Sequence, residues 1–273
     1  MYIIDSFKHP SFKSKKIKII FNSILYLIYS VLKIKIKYQI KLKQTSFLFN
    51  FVPLGRQSGS GGLFVYREDY EPLLNNCSKV LKKNDVVLDI GANQGIYSIA
   101  FSKLVGPKGS VIAVEPFNKM IKCLENNIRI NNLDNIKIHQ KVVSDKSGIE
   151  TIYFDKGTVS ASINEEFSHK NKFDIESTTI DEICGESLKI DFIKLDIEGA
   201  ELKALEGAKL TLEKFKPILS LEVDENSYNK ISEYLRFYSY NSYIFSREGD
   251  LKLVSNIEKK HSNLIFKVVN KSL

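Results

Sequence analysis

Short apolar segments alternate with helical segments from residue 86 onwards, and no other feature constrains the fold of this chain as strongly. Residues 86–90, 109–114 and 135–143 have the composition of strands, whereas residues 96–105 and 118–131 have the apolar spacing of helices. Strands that are separated by helices pair in parallel through right-handed crossovers. We therefore predict an α/β fold with a mostly parallel sheet and helices on both faces. Ligands of such sheets bind beyond the carboxyl ends of the strands.

The alternation continues through the second half of the chain. Residues 191–195 and 217–223 predict two further strands, and residues 199–214 between them predict a helix. Residues 150–154 predict a hairpin strand, and the polar segment 157–172 is expected to form a loop over the ligand site.

The composition is that of a globular protein with a basic surface. Hydrophobic residues make up 43% of the chain, and Lys and Arg outnumber Asp and Glu by 40 to 32, a formal net charge of +8. Such an excess favours anionic partners. The cysteines Cys77, Cys123 and Cys184 form no C-x-x-C pair. Their spacing argues against a zinc ribbon and a disulfide framework and fits a reducing cytoplasm.

An apolar segment near the N-terminus, residues 17–32, has lysines on both sides. It is shorter than the ~20 residues that a helix needs to cross a bilayer, and no small-residue cleavage site follows it. Two interpretations stay open: a helix in the interface of an anionic membrane, or a helix that covers the protein's own core. Residues 33–43 alternate between apolar residues and mainly lysine, which predicts a half-buried strand with a basic outer face. Residues 47–52 are its expected hairpin partner.

These patterns predict a division of the chain into two parts. Residues 1–68 form a basic N-terminal extension of α+β type, with the Ser/Gly-rich residues 57–62 as a flexible joint. Residues 69–273 form the α/β domain, which begins with a helix over residues 69–81.

Acidic side chains follow successive strands of the predicted sheet. Asp89 and the glycines Gly91 and Gly95 lie at the end of the first strand, where the backbone can approach a ligand closely. This spacing is not the G-x-G-x-x-G of dinucleotide-binding proteins, and Asp89 suits an ammonium group. Glu115 ends the second strand, where a carboxylate accepts both hydrogen bonds of a ribose diol. Asp145 follows the third strand and suits the exocyclic amine of adenine. These three partners in this order indicate S-adenosylmethionine.

The same segments resemble the FkbM family of class I methyltransferases. The resemblance rests on VVLDIGANQGIYSIAFSKLVGPKGSVIAVEP, IDFIKLDIEGAELKALEGA and KPILSLEV, and it covers residues 80–223. It implies a seven-stranded Rossmann-like sheet, S-adenosylmethionine as donor and an oxygen acceptor on a sugar or sugar-bearing metabolite. It also implies that Glu115 binds the ribose hydroxyls and that Asp145 lies near the adenine. The residues that we predict to bind the donor are Asp89, Gly91, Ala92, Asn93, Gly95, Tyr97, Glu115, Pro116, Ser144, Asp145 and Asp196.

Candidate catalytic groups follow the later strands. Asp196 and Glu222 are expected to project from neighbouring strand ends, where a carboxylate can remove the proton of an acceptor hydroxyl. Alternatively, Asp196, Glu198 and Glu222 hold a Mg²⁺-type ion that lowers the pKa of the acceptor, although Glu198 equally suits a first helical turn. Lys194 is either a buried ion-pair partner or a cation of the site. His169, in the polar loop, is a further candidate base.

The sequence thus predicts an S-adenosylmethionine-dependent O-methyltransferase. The expected acceptor is a sugar hydroxyl on a surface glycan, a lipopolysaccharide precursor or a glycosylated metabolite. The expected location is cytoplasmic, and two alternatives stay open: a protein free in the cytoplasm, or one in peripheral contact with an anionic membrane through the basic segment. The alternatives are an RNA or protein methyltransferase, or an NAD(P)-dependent oxidoreductase on a related fold. We do not expect a nucleic-acid partner, because the chain carries no N-P-P-Y-like tetrapeptide and no RNA-binding module.

Overall fold

The computed structural model describes most of the chain. The described residues are 11–51, 60–154, 161–162, 171–185, 189–246, 248–257 and 262–268. The helices are α1 (Phe12–Val31), α2 (Ser60–Tyr66), α3 (Pro72–Asn76), α4 (Ile96–Val105), α5 (Asn118–Ile130), α6 (Ile180–Cys184), α7 (Glu201–Glu206), α8 (Lys209–Phe215) and α9 (Glu225–Phe237). The strands are β1 (Ile36–Lys41), β2 (Ser46–Phe51), β3 (Val86–Ile90), β4 (Ser110–Val114), β5 (Ile136–His139), β6 (Val142–Val143), β7 (Gly148–Phe154), β8 (Ala161–Ser162), β9 (Asn171–Thr178), β10 (Phe192–Leu195), β11 (Ile218–Val223), β12 (Tyr240–Phe245), β13 (Leu251–Leu253) and β14 (Ser262–Val268).

The central sheet contains eight strands in the described part of the chain, in the order β13-β12-β14-β11-β10-β3-β4-β5. The strands from β11 to β5 run parallel, and β14, β12 and β13 add an antiparallel edge. From β3 the chain continues to β4 and β5 on one side, and it later fills β10 and β11 on the other. The strand order therefore reverses between β3 and β10, and the predicted Rossmann-like fold is confirmed. β13 is an edge strand beyond the seven expected.

Helices cover both faces of this sheet, and side chains that alternate along its strands enter two large apolar cores, one on each face. A smaller apolar cluster joins Ala113 of β4 to Leu124 of α5. In β3, Val87 packs in the core that contains α4, whereas Leu88 packs in the core that contains α7, α8 and α9. Phe192 and Ile193 divide in the same way in β10. The ends of these strands are therefore held from both sides.

The N-terminal elements pack on the α4 side of the sheet. β1 and β2 form the predicted antiparallel hairpin, and the side-chain amide of Asn22 in α1 donates to the carbonyl of Val65 in α2 over 3.0 Å. Ile19 and Tyr26 of α1 lie in the same apolar core as α4, so one face of α1 covers the protein's own core. Among the described helices, none is both long enough and apolar enough to span a membrane. The division of the chain at residue 68 stays a prediction.

Asn127 of α5 and Asn131, which follows the helix directly, bind the outer edge of the hairpin. Asn131 accepts from the N–H of Leu48 through Oδ1 at 2.8 Å and donates to the carbonyl of Leu48 through Nδ2 at 2.7 Å. One turn earlier, Asn127 accepts from the N–H of Asn50 at 2.8 Å and donates to the carbonyl of Gln94 at 2.9 Å. Asn127 therefore connects the hairpin to the turn between β3 and α4.

Two predicted elements before β3 are wrong. In place of one helix over residues 69–81, α3 spans five residues between two 3₁₀ turns. The side-chain amide of Asn76 donates to the carbonyl of Pro72 at 2.7 Å, a local bond of the kind by which Asn ends helices. The flexible joint predicted at residues 57–62 is wrong for residues 60–62, which belong to α2. The ring of Tyr70 packs where a Cβ of Gly62 would lie. Residues 57–59 lie outside the described residues.

Two predicted elements of the α/β region are interrupted. The strand expected over residues 135–143 divides into β5 of the central sheet and β6, which pairs with β9 in a second sheet with β7 and β8. The helix expected over residues 199–214 divides into α7 and α8 at Gly207, where a Cβ would lie 2.3 Å from the carbonyl oxygen of Ser144. In both cases a tertiary contact overrides a local pattern. The predicted strand at 150–154 is confirmed as part of β7, whereas β9 falls partly on the segment expected to be a loop.

Candidate active site

A cavity of about 340 Å³ opens at the carboxyl ends of the parallel strands. Its wall includes Ile90 of β3, Val114 of β4, Asp196 directly after β10 and Glu222 of β11. These residues lie on both sides of the point where the strand order reverses, which is where open α/β sheets bind ligands. The volume lies within the usual range for small-molecule sites, roughly 300–1,000 Å³.

The predicted site residues divide between the cavity wall and the layer behind it. Those on the wall are Gly91, Ala92, Asn93, Tyr97, Glu115, Pro116, Lys194, Asp196, Glu198 and Glu222. Those that the structure places off the wall are Asp89, Gly95, Ser144 and Asp145. His169 lies outside the described residues.

The turn after β3 is held against the neighbouring strands. The N–H groups of Gly91 and Ala92 both donate to the carbonyl of Val114, at 3.0 and 3.1 Å. Gly91 has φ +78°, and a Cβ there would lie 2.0 Å from the carbonyl oxygen of Asp196. Gly95 has φ +89°, and its Cβ would meet the side chain of Leu124. Both glycines therefore make room for the protein's own chain, and close approach of their backbone to a ligand stays a prediction.

We expect Gly91→Ala to lower the free energy of unfolding by about 2–4 kcal/mol, since it adds backbone strain at positive φ to a collision with rigid backbone. Urea denaturation measures the loss. Gly199→Ala is the matched control, because Gly199 has φ +90° but no atom within 4 Å of its Cβ position, so only the strain remains. Equal losses in the two variants would contradict the contact with Asp196.

Glu115 is fixed by two backbone amides. Its Oε2 accepts from the N–H of Asn93 at 2.9 Å, and its Oε1 accepts from the N–H of Phe117 at 3.0 Å. Burial raises the pKa of Glu115 to about 7 even though both amides favour the ionised form. Each carboxylate oxygen keeps a second lone pair, so Glu115 can still accept hydrogen bonds from a pair of hydroxyl groups in the cavity.

Gln94 is a wall residue that the sequence analysis did not select. Its side chain is 4% exposed, and neither its Oε1 nor its Nε2 has a hydrogen-bond partner within the described residues. Buried polar atoms of native proteins normally have partners, so this amide fits a ligand that both donates and accepts hydrogen bonds. The adenine and amino-acid portions of S-adenosylmethionine do both, and the residues present therefore fit this donor. The sequence feature that could have selected Gln94 is its position in the glycine turn, between Asn93 and Gly95.

Asp89 lies behind the wall. It is fully buried, and its Oδ2 accepts from the hydroxyl of Ser98 at 2.5 Å. Burial raises its pKa, although the charge of Lys194 opposes the shift. The structure thus places Asp89 beneath the turn, where it stabilises Ser98 and Lys194 electrostatically, and direct binding of an ammonium group stays a prediction.

Lys194 and Asp196 form a buried ion pair. Nζ of Lys194 lies 2.8 Å from Oδ2 of Asp196, and the lysine side chain is 3% exposed. Burial alone would lower the pKa of Lys194, but the negative charges of Asp196, Asp89 and Glu71 outweigh it and raise this pKa. Lys194 therefore stays charged, and of the two predicted roles the structure shows the ion-pair partner.

Glu222 and Asp196 share a hydrogen bond between carboxyl groups. Burial raises the pKa of Glu222 to about 8, and the nearby charge of Asp196 adds to the shift. Burial also acts to raise the pKa of Asp196, but Lys194 and the hydrogen bond from Glu222 outweigh it and lower that pKa. The surroundings thus favour the ionised form of Asp196 and the protonated form of Glu222. Paired carboxyl groups whose pKa values are driven apart are typical of acid–base sites.

A second pair on the wall joins the predicted Tyr97 to Glu71, which lies outside the motifs. The hydroxyl of Tyr97 donates to Oε2 of Glu71, and Nζ of Lys194 lies 4.7 Å from the ring centre of Tyr97. Burial raises the pKa of Glu71, and Asp196 adds to the shift. No sequence pattern selects Glu71, because it precedes Pro72 in an irregular segment and reaches the site only through the packing of α3.

Ser144 and Asp145 face a different set of partners. The hydroxyl of Ser144 lies 3.0 Å from Oδ1 of Asp145 and 2.9 Å from Oε1 of Glu150. Nζ of Lys203 lies 3.0 Å from Glu150 and 3.6 Å from Asp145. Asp145 is thus engaged with a lysine at the edge of the second sheet, and its proximity to adenine stays a prediction.

The structure gives no support to the predicted metal alternative. Within the described ranges, no group of three or more His, Cys, Asp and Glu side chains is arranged to hold a metal ion. Asp196 is paired instead with Lys194 and Glu222.

Comparison with known proteins identifies the family. Residues 89–245 match the family described as the methyltransferase FkbM domain, and because this is more than half of the chain, the protein belongs to the FkbM family of S-adenosylmethionine-dependent methyltransferases. The chain is 28% identical over 166 residues to 2-O-methyltransferase NoeI of Sinorhizobium fredii, a match over 54% of this chain and 67% of the relative. It is 25% identical over 179 residues to methyltransferase sdnD of Sordaria araneosa, over 53% of this chain and 68% of the relative.

Solved structures are more distant. The crystal structure of methyltransferase FkbM from Methylobacillus flagellatus is 17% identical with a TM-score of 0.46, over 76% of this chain and 53% of that chain. An S-adenosylmethionine-dependent O-methyltransferase from Thermotoga maritima is 13% identical with a TM-score of 0.44, over 74% of this chain and 66% of that chain. The chain thus spans about half the length of the Methylobacillus protein. The predicted oxidoreductase alternative finds no support in the family match.

Proposed function

We propose that this methyltransferase transfers a methyl group to a hydroxyl oxygen of a sugar, on a surface glycan, a lipopolysaccharide precursor or a glycosylated metabolite. The observation that carries the proposal is the Asp196–Glu222 carboxyl pair at the cavity. A hydroxyl acceptor must lose a proton on methylation, and this pair contains a group whose pKa suits that task. The similarity to a 2-O-methyltransferase supports an oxygen acceptor.

The donor would lie along the ends of β3 and β4. Glu115 is suited to the ribose hydroxyls, and Gln94 supplies the amide that lacks a partner. When bound, S-adenosylmethionine supplies an electrophilic methyl group on a sulfonium that is already a good leaving group. The acidic wall around Asp196 favours a cationic ligand electrostatically. The protein's remaining task is to orient the acceptor and to remove its proton.

Glu222 would remove that proton. Asp196 is held as a carboxylate by Lys194, and its negative charge raises the proton affinity of its neighbour Glu222. An ionised Glu222 would accept the hydroxyl proton while the new O–CH₃ bond forms. A base whose pKa lies near the working pH is the most effective one. In this pair Asp196 would be the permanent anion, and Glu222 would be the base whose pKa is raised towards the working pH.

The acceptor would meet a wall that the N-terminal region supplies. Phe49 of β2, Leu63 of α2 and Tyr70 line the cavity beside Glu71. Aromatic and aliphatic side chains combined with a few polar groups are typical of small-molecule sites, and this combination suits the apolar faces and hydroxyl groups of a sugar ring.

We expect kcat/KM to rise with pH and to level off above about pH 8, because only the ionised form of Glu222 accepts a proton. Initial rates at saturating donor over a series of buffers of constant ionic strength measure the profile. A rate that falls as pH rises through this range would contradict the role of Glu222.

The function itself is tested by methyl transfer from isotopically labelled S-adenosylmethionine to a panel of glycans and glycosylated metabolites. The proposal expects label in a methyl ether, which mild alkali leaves intact. Label lost in mild alkali would indicate a carboxyl ester, and label in RNA or protein would favour the alternative acceptor classes; either result would overturn the proposal.

A further inference from the structure

Helix α1 carries an apolar stripe on its outward face. Ile17, Phe21, Ile24, Ile28 and Val31 follow one another at intervals of four and three residues, which places them on one side of a helix. All five are exposed, Ile17 to 85% and Val31 to 71%. A helix that covers a core normally turns its polar side to water, whereas α1 presents large apolar side chains there.

The opposite side of α1 already has its partners. Ile19 and Tyr26 are buried in the core shared with α4, and the buried side chain of Asn22 bonds to Val65 of α2. The inward side of α1 makes the contacts with the core. The outward stripe takes no part in them, so α1 is apolar on two sides.

Positive charge surrounds this stripe. No Asp or Glu occurs between Asp5 and Glu68. The nine lysines of residues 11–51 are Lys13, Lys15, Lys16, Lys18, Lys33, Lys35, Lys37, Lys41 and Lys43. The exposed Lys16 and Lys18 flank Ile17 at the first end of the stripe, and the exposed Lys33, Lys35 and Lys37 follow its last residue.

We propose that this N-terminal surface, defined as the outward stripe of α1 with the exposed lysines at its two ends, docks onto an anionic lipid bilayer. An interfacial helix buries apolar side chains at the boundary of the acyl chains while its lysines contact anionic headgroups. Both components are present, and the length and apolarity of α1 do not allow it to span the membrane.

The charge argues against two other occupants. A second copy of the chain would bring two lysine-rich surfaces together, and like charges repel. A nucleic acid would satisfy the lysines but would leave the apolar stripe in water. A lipid surface satisfies both.

This inference does not rest on the proposed function, since a bilayer can be bound without any methyl transfer. The two are nevertheless adjacent in the structure. α1 packs on α2, and Leu63 of α2 lines the cavity together with Phe49 of the hairpin. An acceptor carried by a membrane lipid would therefore be presented close to the elements that form the acceptor wall.

Vesicle flotation of the full chain tests the proposal, with phosphatidylcholine alone and with phosphatidylcholine mixed with phosphatidylglycerol. We expect binding to the mixed vesicles and little binding to phosphatidylcholine alone. Phe21→Gln with Ile24→Gln should weaken binding at least about tenfold, because burying even one large apolar side chain changes an equilibrium by that factor. Lys35→Gln with Lys37→Gln should also weaken vesicle binding relative to wild type. This loss should be larger in low salt than in high salt, because salt screens the attraction between lysines and headgroups.

Leu210→Gln is the matched control, because Leu210 is 67% exposed but lies on α8, and its substitution should leave flotation unchanged. Thermal unfolding of each variant checks that exposed positions were altered without loss of the fold. Absence of flotation with mixed vesicles, or equal flotation of wild type and the stripe variant, would overturn the proposal. A wild-type dimer in light scattering that the stripe variant dissociates would overturn it in favour of a second copy.

Discussion

Glu222→Gln should lower kcat by about 10²–10⁴-fold, the usual contribution of a general base, while donor affinity changes little. Glutamine keeps the size of the side chain and can still donate a hydrogen bond to Asp196, but it cannot accept the acceptor's proton. The ion pair of Asp196 with Lys194, at 2.8 Å, does not involve the substituted group. Single-turnover rates with labelled donor, alongside calorimetric titration of the donor, separate catalysis from binding.

Glu225→Gln is the control for this substitution. Glu225 begins α9 three residues further along the chain and is exposed, so the same change of charge occurs away from the cavity. We expect its kcat to stay within about twofold of wild type, because exposed charges contribute little. A Glu222→Gln enzyme of near-normal rate would remove Glu222 from the mechanism and return the candidate base to Asp196.

Glu115→Ala should weaken S-adenosylmethionine binding by about 10²–10⁴-fold, since each of two hydrogen bonds to an ionised group contributes about 1.5–3 kcal/mol. The substitution removes both carboxylate oxygens that would accept the ribose hydroxyls. It also removes the acceptors of the N–H groups of Asn93 and Phe117, at 2.9 and 3.0 Å, which hold the turn. Calorimetric titration measures the affinity, and thermal unfolding without donor shows whether the fold survives.

Asp145→Ala, measured in the same titration, tests whether Asp145 also binds the donor. The sequence predicts Asp145 near the adenine, whereas the structure pairs it with Lys203 at 3.6 Å and places it off the cavity wall. If the geometry describes the donor complex, Asp145→Ala binds the donor with near-normal affinity. A loss as large as that of Glu115→Ala would favour the resemblance over the geometry at this position.

The parallel sheet could be predicted because each of its strands is recognisable from a short, continuous stretch of sequence. β3, β4, β10 and β11 are short apolar runs followed at once by a glycine turn or an acidic residue, so pattern and position both indicate a ligand site at their ends. The same reasoning brought Glu115, Asp196 and Glu222 to one cavity, as the structure shows.

The rest of the cavity wall could not be predicted, because it depends on packing between residues that are far apart in the sequence. Phe49 and Leu63 precede β3 by more than twenty residues, and packing in the core that they share with α4 brings them to the cavity. Glu71 lies in a segment that the sequence predicts as part of a longer helix, and nothing in that pattern indicates a site residue. Gly207 shows the converse case, where the backbone of Ser144 interrupts a helix that local periodicity predicts as continuous.

The asparagine side chains that bind β2 have a consequence for solubility. A strand at the edge of a two-stranded sheet exposes N–H and C=O groups that invite another chain to pair with it. Asn131 occupies both of those groups at Leu48, and Asn127 occupies the N–H of Asn50, so side chains from the end of α5 take the place of a further strand. The β2 edge of the hairpin is thereby protected from strand addition at these positions, and loss of either asparagine would open a route to intermolecular β-aggregation in a segment rich in phenylalanine.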